Sequence, residues 1–125
     1  MVRRRGSSRQ FTVAPMAGTP EGGHAVLAEM VRRLEAELRP ERISLFGSRA
    51  RGEVHPDSDY DLLVVVRERV GASREMEQRA NAALCGLDVP IDVVILTTEY
   101  FTWMLGAAAS LAATVEREGR LLYAA

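Results

Sequence analysis

Asp59-Tyr60-Asp61-Leu62-Leu63-Val64-Val65-Val66 is the stretch on which the fold turns. From Leu62 to Val66 it is an unbroken apolar run, the pattern of a strand buried on both faces. The two carboxylates at its entrance are out of character with that run. Side chains alternate across a strand, so Asp59 and Asp61 share a face, with Cα atoms about 6.6–6.8 Å apart. Two carboxylates that close repel unless a cation lies between them. Hard divalent ions such as Mg2+ take oxygen ligands of this kind, completed by water and substrate phosphate. The competing account is a polar loop, His55-Pro56-Asp57-Ser58, that runs its last carboxylates into the strand, because Asp is a favoured turn residue.

Upstream, Leu27, Met30, Val31, Leu34 and Leu38 fall at helical spacing from His24 onward, with charged residues opposite and Pro40 as the stop. Ile43 to Phe46 reads as a short strand. Downstream, Ser73 to Leu84 returns to helix with Gly86 as its end, and Val89 to Leu96 is a third strand. Thr98 to Leu105 and Ser110 to Glu118 are helical, divided near Gly106, and Arg120 to Tyr123 forms a last short strand. Helices alternating with strands imply a small mixed sheet flanked by helices, of α+β or α/β class.

Leu45-Phe46-Gly47-Ser48-Arg49-Ala50-Arg51-Gly52 comes straight off the first strand. Gly47 lets the backbone turn sharply and admits a ligand with no Cβ in its way. Ser48 is placed to cap a following short helix whose free N–H groups would face a phosphate; taken alone, Gly-Ser after a strand more often marks an ordinary turn. Asp92 adds weight, because it interrupts Pro90-Ile91 and Val93-Val94-Ile95 inside what should be a buried strand. An unpaired carboxylate there would cost several kcal/mol or take up a proton. A cation shared with Asp59 and Asp61 accounts for it; a salt bridge to Arg49 or Arg51 is the alternative. Three carboxylates on adjacent strands beside a phosphate-cradling turn suit a two-metal site for phosphoryl or nucleotidyl transfer.

The bulk properties narrow the setting. At 125 residues and 47% apolar, one globular domain is expected, and no stretch approaches the roughly 20 apolar residues that span a bilayer. Residues 1–21 are a breaker-rich, basic segment with no apolar period, expected as a flexible tail before a domain at 22–125; an arm that contacts nucleic acid is the other reading. The remainder holds twelve Arg against sixteen acids, which makes nucleic acid an unexpected partner. The lone Cys85 excludes an intramolecular disulfide and fits a cytoplasmic location; it is expected as small buried filler. His24 and His55 are expected at the surface. Arg49 divides evenly between solvent and the phosphate site. Tyr100, Phe101, Trp103, Met104 and Leu105 read mainly as core, with Trp103 the one to touch a partner.

Gly47-Ser48, ten residues, Asp59-x-Asp61 and a later lone Asp92 in a strand resemble the polymerase-β nucleotidyltransferase superfamily. The resemblance is closer to its minimal nucleotidyltransferases, whose pattern Gly-Ser-x-Ala-Arg-Gly, spacer, Ser-Asp-x-Asp-Leu is met by Gly47, Ser48, Ala50, Arg51, Gly52, Ser58, Asp59, Asp61 and Leu62. It implies the superfamily's fold, two Mg2+ ions held by Asp59, Asp61 and Asp92, and a nucleoside triphosphate such as ATP held through Gly47, Ser48 and Arg51. It also implies a role for Asp92 as general base, and a cellular role as antitoxin to a HEPN-domain protein, in some members by transferring AMP to a toxin tyrosine. A binding module that neutralises its partner with little turnover is the alternative.

Overall fold

The computed structural model describes residues 21–53, 58–67 and 73–125. The tail expected at 1–21 lies outside them as far as residue 20, as do His55 and the side chain of His24, while Glu21 already belongs to the first helix. The order is α1 (Glu21–Leu38), β1 (Arg42–Phe46), β2 (Tyr60–Val66), α2 (Ser73–Ala83), β3 (Ile91–Thr97), α3 (Thr98–Met104), α4 (Leu111–Glu118) and β4 (Arg120–Ala124). The strands form one mixed sheet in the order β3-β2-β1-β4. Strand β1 is antiparallel to both β2 and β4, while β2 and β3 run parallel. The class is α+β.

Alternation along β2 explains why helices lie on both faces. Tyr60, Leu62, Val64 and Val66 point to one side, where they pack with Leu27, Met30, Val31 and Leu34 of α1 and Met76 and Ala80 of α2. Leu63 and Val65 point to the other, against Phe101 of α3 and Ala112 and Val115 of α4. Arg42 pins that second layer down: it donates to Glu116 Oε1 at 2.9 Å and lies 5.4 Å over the Phe101 ring. Thr97 and Ser110 cap α3 and α4 by accepting from the Tyr100 and Ala113 N–H groups. Among the described residues no helix is long and apolar enough to cross a membrane.

Two local expectations are corrected. Strand β3 starts at Ile91 rather than Val89, since Pro90 has no N–H for the ladder and its carbonyl accepts from Tyr60 N at 2.9 Å. No helix follows Ser48. Residues 48–52 form hydrogen-bonded turns, with Glu53 N donating back to Ser48 O at 2.9 Å, and Gly52 at φ +82° ends the helical sense.

The chain end of β1 and the starts of β2, β3 and β4 meet at one end of the sheet. The α4–β4 turn braces that end. A Cβ on Gly119 would lie 2.7 Å from Val115 O and 2.9 Å from Leu45 O, both backbone atoms. Gly119→Ala should therefore lower the unfolding free energy by about 1–3 kcal/mol; an unchanged urea midpoint would contradict this packing.

The opposite end is tied by Glu41. Its Oε1 accepts from Thr98 Oγ1 at 2.8 Å and its Oε2 from Arg67 Nε at 2.7 Å. The hydroxyl of Thr98, then the Arg67 guanidinium, hold this carboxyl below its ordinary value of 4.5. Arg67 is largely exposed and contributes little, so most of the effect rests on Thr98. Because the folded-state pKa is depressed, the stabilisation is present above the unfolded value and is lost as pH falls through the folded one. Glu41→Gln should cost about 1–2 kcal/mol at neutral pH, and the gap from the parent should close on acidification below 4.5. Urea unfolding at stepped pH measures it; a gap independent of pH would refute the assignment.

Candidate active site

Asp61 is the centre of the site. It pairs in register with Phe46 on one side and with Asp92 on the other. Asp61 and Asp92 lie in alternation with Leu63 and Val94, so both point to the α3–α4 face, at the end where α4 gives way to β4. Asp59 precedes β2 by one residue. Asp61 is half-buried, whereas Asp59 and Asp92 are exposed. Burial pushes the Asp61 carboxyl above the ordinary range of 3.8, and the charges of Asp92 and then Asp59 push it further. The three carboxylates read from the sequence are thus brought together as an electrostatic group.

The exposure of Asp92 corrects one premise. As the edge strand, β3 has β2 on one side only, so Asp92 reaches water and no buried charge needs compensation. The carboxylate under strain is Asp61 instead. The alternative of an Asp92 salt bridge to Arg51 is not met, as Arg51 pairs with Glu53 at 3.3 Å and with Glu118 at 4.0 Å.

The turn after β1 packs against Asp61 directly. Gly47 has φ +79°, and a Cβ there would overlap Asp61 Oδ2 and lie 3.2 Å from its Cγ. Glycine is required both by the left-handed backbone and by the carboxylate. Ser48 follows, half-buried, and the N–H groups of residues 50–53 are bonded back to carbonyls within the turn. Arg49, ambiguous in the sequence, is buried: Nε donates to Ser58 O at 3.1 Å and Cζ lies 4.0 Å over the Tyr60 ring. Nothing in its spacing signals this, because the partner ring is eleven residues away on the other strand.

The donor set fits a hard divalent cation. All three groups are acceptor-only when ionised, and the mutual repulsion at Asp61 is what a cation would relieve. Among the described residues no group of three acidic, His or Cys side chains is gathered closely enough to hold an ion unaided. Mg2+ in nucleotide sites commonly binds through one or two carboxylates and takes its other ligands from water and phosphates.

Residues 27–120 match the model of the nucleotidyltransferase domain. The chain belongs to that family. Families of this kind typically use divalent metals and carry out nucleotidyl transfer. A solved structure described as a minimal nucleotidyltransferase is 31% identical, with 85% of this chain and 96% of that one covered and a TM-score of 0.53. A nucleotidyltransferase structure from Sulfolobus solfataricus shares the fold at 19% identity and TM-score 0.58, covering 80% and 78%. So does a toxin–antitoxin structure with AMP-PNP, at 22% identity and TM-score 0.51, covering 78% and 73%. No curated protein matches the sequence.

Elsewhere, Phe101 is core as expected, but Trp103 is 72% exposed and stacks on the half-exposed Tyr100 at 5.6 Å. Cys85 is exposed, not buried filler. It lies just past α2, where Arg33 Nη1 holds its carbonyl at 3.0 Å and the thiol has no core to enter.

Proposed function

We propose that this chain is a Mg2+-dependent nucleotidyltransferase that moves AMP from ATP to a hydroxyl on a partner protein, as the antitoxin of a pair whose toxin is a HEPN-domain protein. The observation that carries the reading is Asp61, flanked by Asp59 and Asp92 and covered by the Gly47 turn. Asp59 and Asp61, with Asp92 beside them, would hold two metal ions and, through those ions, the triphosphate. Ser48 and the backbone next to it take the β- and γ-phosphates, the N–H groups of residues 50–53 being bonded within the turn, and Arg51, paired with Glu53 and Glu118, supports the turn or reaches the phosphates. The acceptor hydroxyl attacks the α-phosphorus and its bond to the β-phosphate bridging oxygen breaks. Pyrophosphate leaves, and the hydroxyl proton passes to Asp92, which is exposed and open to an incoming acceptor. Bound Mg2+ supplies charge neutralisation on the phosphates.

A protein acceptor suits the size of the domain. The described residues form one four-stranded sheet and its helices, with little left over to enclose a second small molecule. The toxin–antitoxin neighbour was crystallised with AMP-PNP, which supports nucleotide binding and pairing with a second protein. Trp103 and Tyr100, beside a recess lined by Met104, Gly106, Ala107 and Ser110, offer an apolar surface for docking. Co-purification from the native host, then intact-mass analysis with ATP and Mg2+, should show one adenylyl increment on the co-purifying chain. Absence of any partner together with efficient labelling of a small molecule would overturn the protein-acceptor reading.

A further inference from the structure

Arg49 joins the phosphate turn to the carboxylates by contacts that no motif position accounts for. It lies between Ser48 and Ala50, yet its guanidinium leaves the turn and is buried against β2. Nε donates to the carbonyl of Ser58, the residue before Asp59, and Cζ sits 4.0 Å over the ring of Tyr60, the residue between Asp59 and Asp61. Tyr60 is itself buried, and its N–H is bonded to the carbonyl of Pro90, two residues before Asp92. A continuous path therefore runs from Ser48 through Arg49, Ser58, Tyr60 and Pro90, with each of the three carboxylates within two residues of a fixed point on it.

We infer that Arg49 is a positioning residue: it sets the distance between the Ser48 turn and the Asp59, Asp61 and Asp92 carboxylates without touching the nucleotide. A guanidinium does this where an ammonium does not. It is planar and weakly hydrated, so it lies over the Tyr60 ring while its Nε–H donates to the Ser58 carbonyl. A phosphate-holding turn works only if its groups are held in place, and displacement by about 1 Å in such a site is enough to cost on the order of a hundredfold.

This inference rests on the nucleotidyltransferase reading for its effect on binding, but not for its effect on the turn, and the test separates the two. In the full chain, Arg49→Met and Arg49→Lys are compared with the parent by amide hydrogen exchange and by calorimetric titration of ATP in Mg2+. Both variants are expected to speed exchange at residues 48–53 and at Tyr60 well beyond any change at Ile43 to Leu45, and to weaken ATP binding by on the order of tenfold to a hundredfold. Restoration of both properties by Arg49→Lys would overturn the inference, because charge alone would then suffice. Exchange rising equally in the turn and in β1 would also overturn it, since Arg49 would then serve only general stability. Should the parent fail to bind ATP, the nucleotidyltransferase reading fails, and the exchange pattern alone decides the role of Arg49. If Arg49→Met does not fold, the Arg49→Lys comparison decides.

Discussion

Replacing Asp61 by Asn is expected to abolish nucleotidyl transfer while leaving the metal-free protein as stable as the parent or more so. Asp61 is the half-buried member of the acidic group, and burial, Asp92 and Asp59 all disfavour its charge in the folded state. Removing that charge relieves repulsion, and Asn keeps the shape. The same change deletes the carboxylate that faces both the Gly47 turn and Asp92. Loss of one group that stabilises charge at a reacting centre costs on the order of 10^2- to 10^3-fold. Urea unfolding in excess chelator and a transfer assay in Mg2+ measure the two effects side by side. A large fall in metal-free stability would make Asp61 a structural residue, and retained transfer would remove it from the mechanism.

Gly47→Ala should damage both the fold and binding. Alanine in the left-handed region costs about 1–2 kcal/mol, and here the added Cβ would also strike the Asp61 carboxylate. Gly86→Ala provides the control. Gly86 has φ +94° and open space for 4 Å around the place a Cβ would take, so the substitution there brings the backbone strain without the collision. Both variants should lose stability through the backbone strain, Gly47→Ala by more because of the added collision. Only Gly47→Ala should lose nucleotide affinity, by on the order of tenfold or more, as the carboxylate is pushed from its place. Equal affinities in the two variants would show that the turn's closeness to Asp61 has no functional consequence.

Much of this architecture is legible in the sequence because periodicity is a local property. The helical spacing from Leu27 to Leu38, and the apolar run from Leu62 to Val66, each report their own burial without knowledge of neighbours. The Asp59-x-Asp61 pair is legible for the same reason, since alternation along a strand places both on one face. What depends on strand order is not. The exposure of Asp92 follows from β3 lying at the sheet edge, and a single sequence does not state which strand is last. Arg49 illustrates the same limit, as its burial comes from the Tyr60 ring on an adjoining segment. The missing helix after Ser48 has a local cause that is readable: Gly52 takes positive φ four residues later and stops the turn. Trp103 stands in a mixed aromatic segment where α3, at seven residues, buries only Phe101.

Asp59, Asp61 and Asp92 are expected to hold a metal–triphosphate complex against the Gly47 turn. Calorimetric titration of ATP into the full chain, first with Mg2+ and then with excess chelator, tests it most directly. Saturable binding in Mg2+, lost in chelator and lost in Asp59→Asn, is the predicted result. Affinity that persists undiminished in chelator, or in Asp59→Asn, would contradict it.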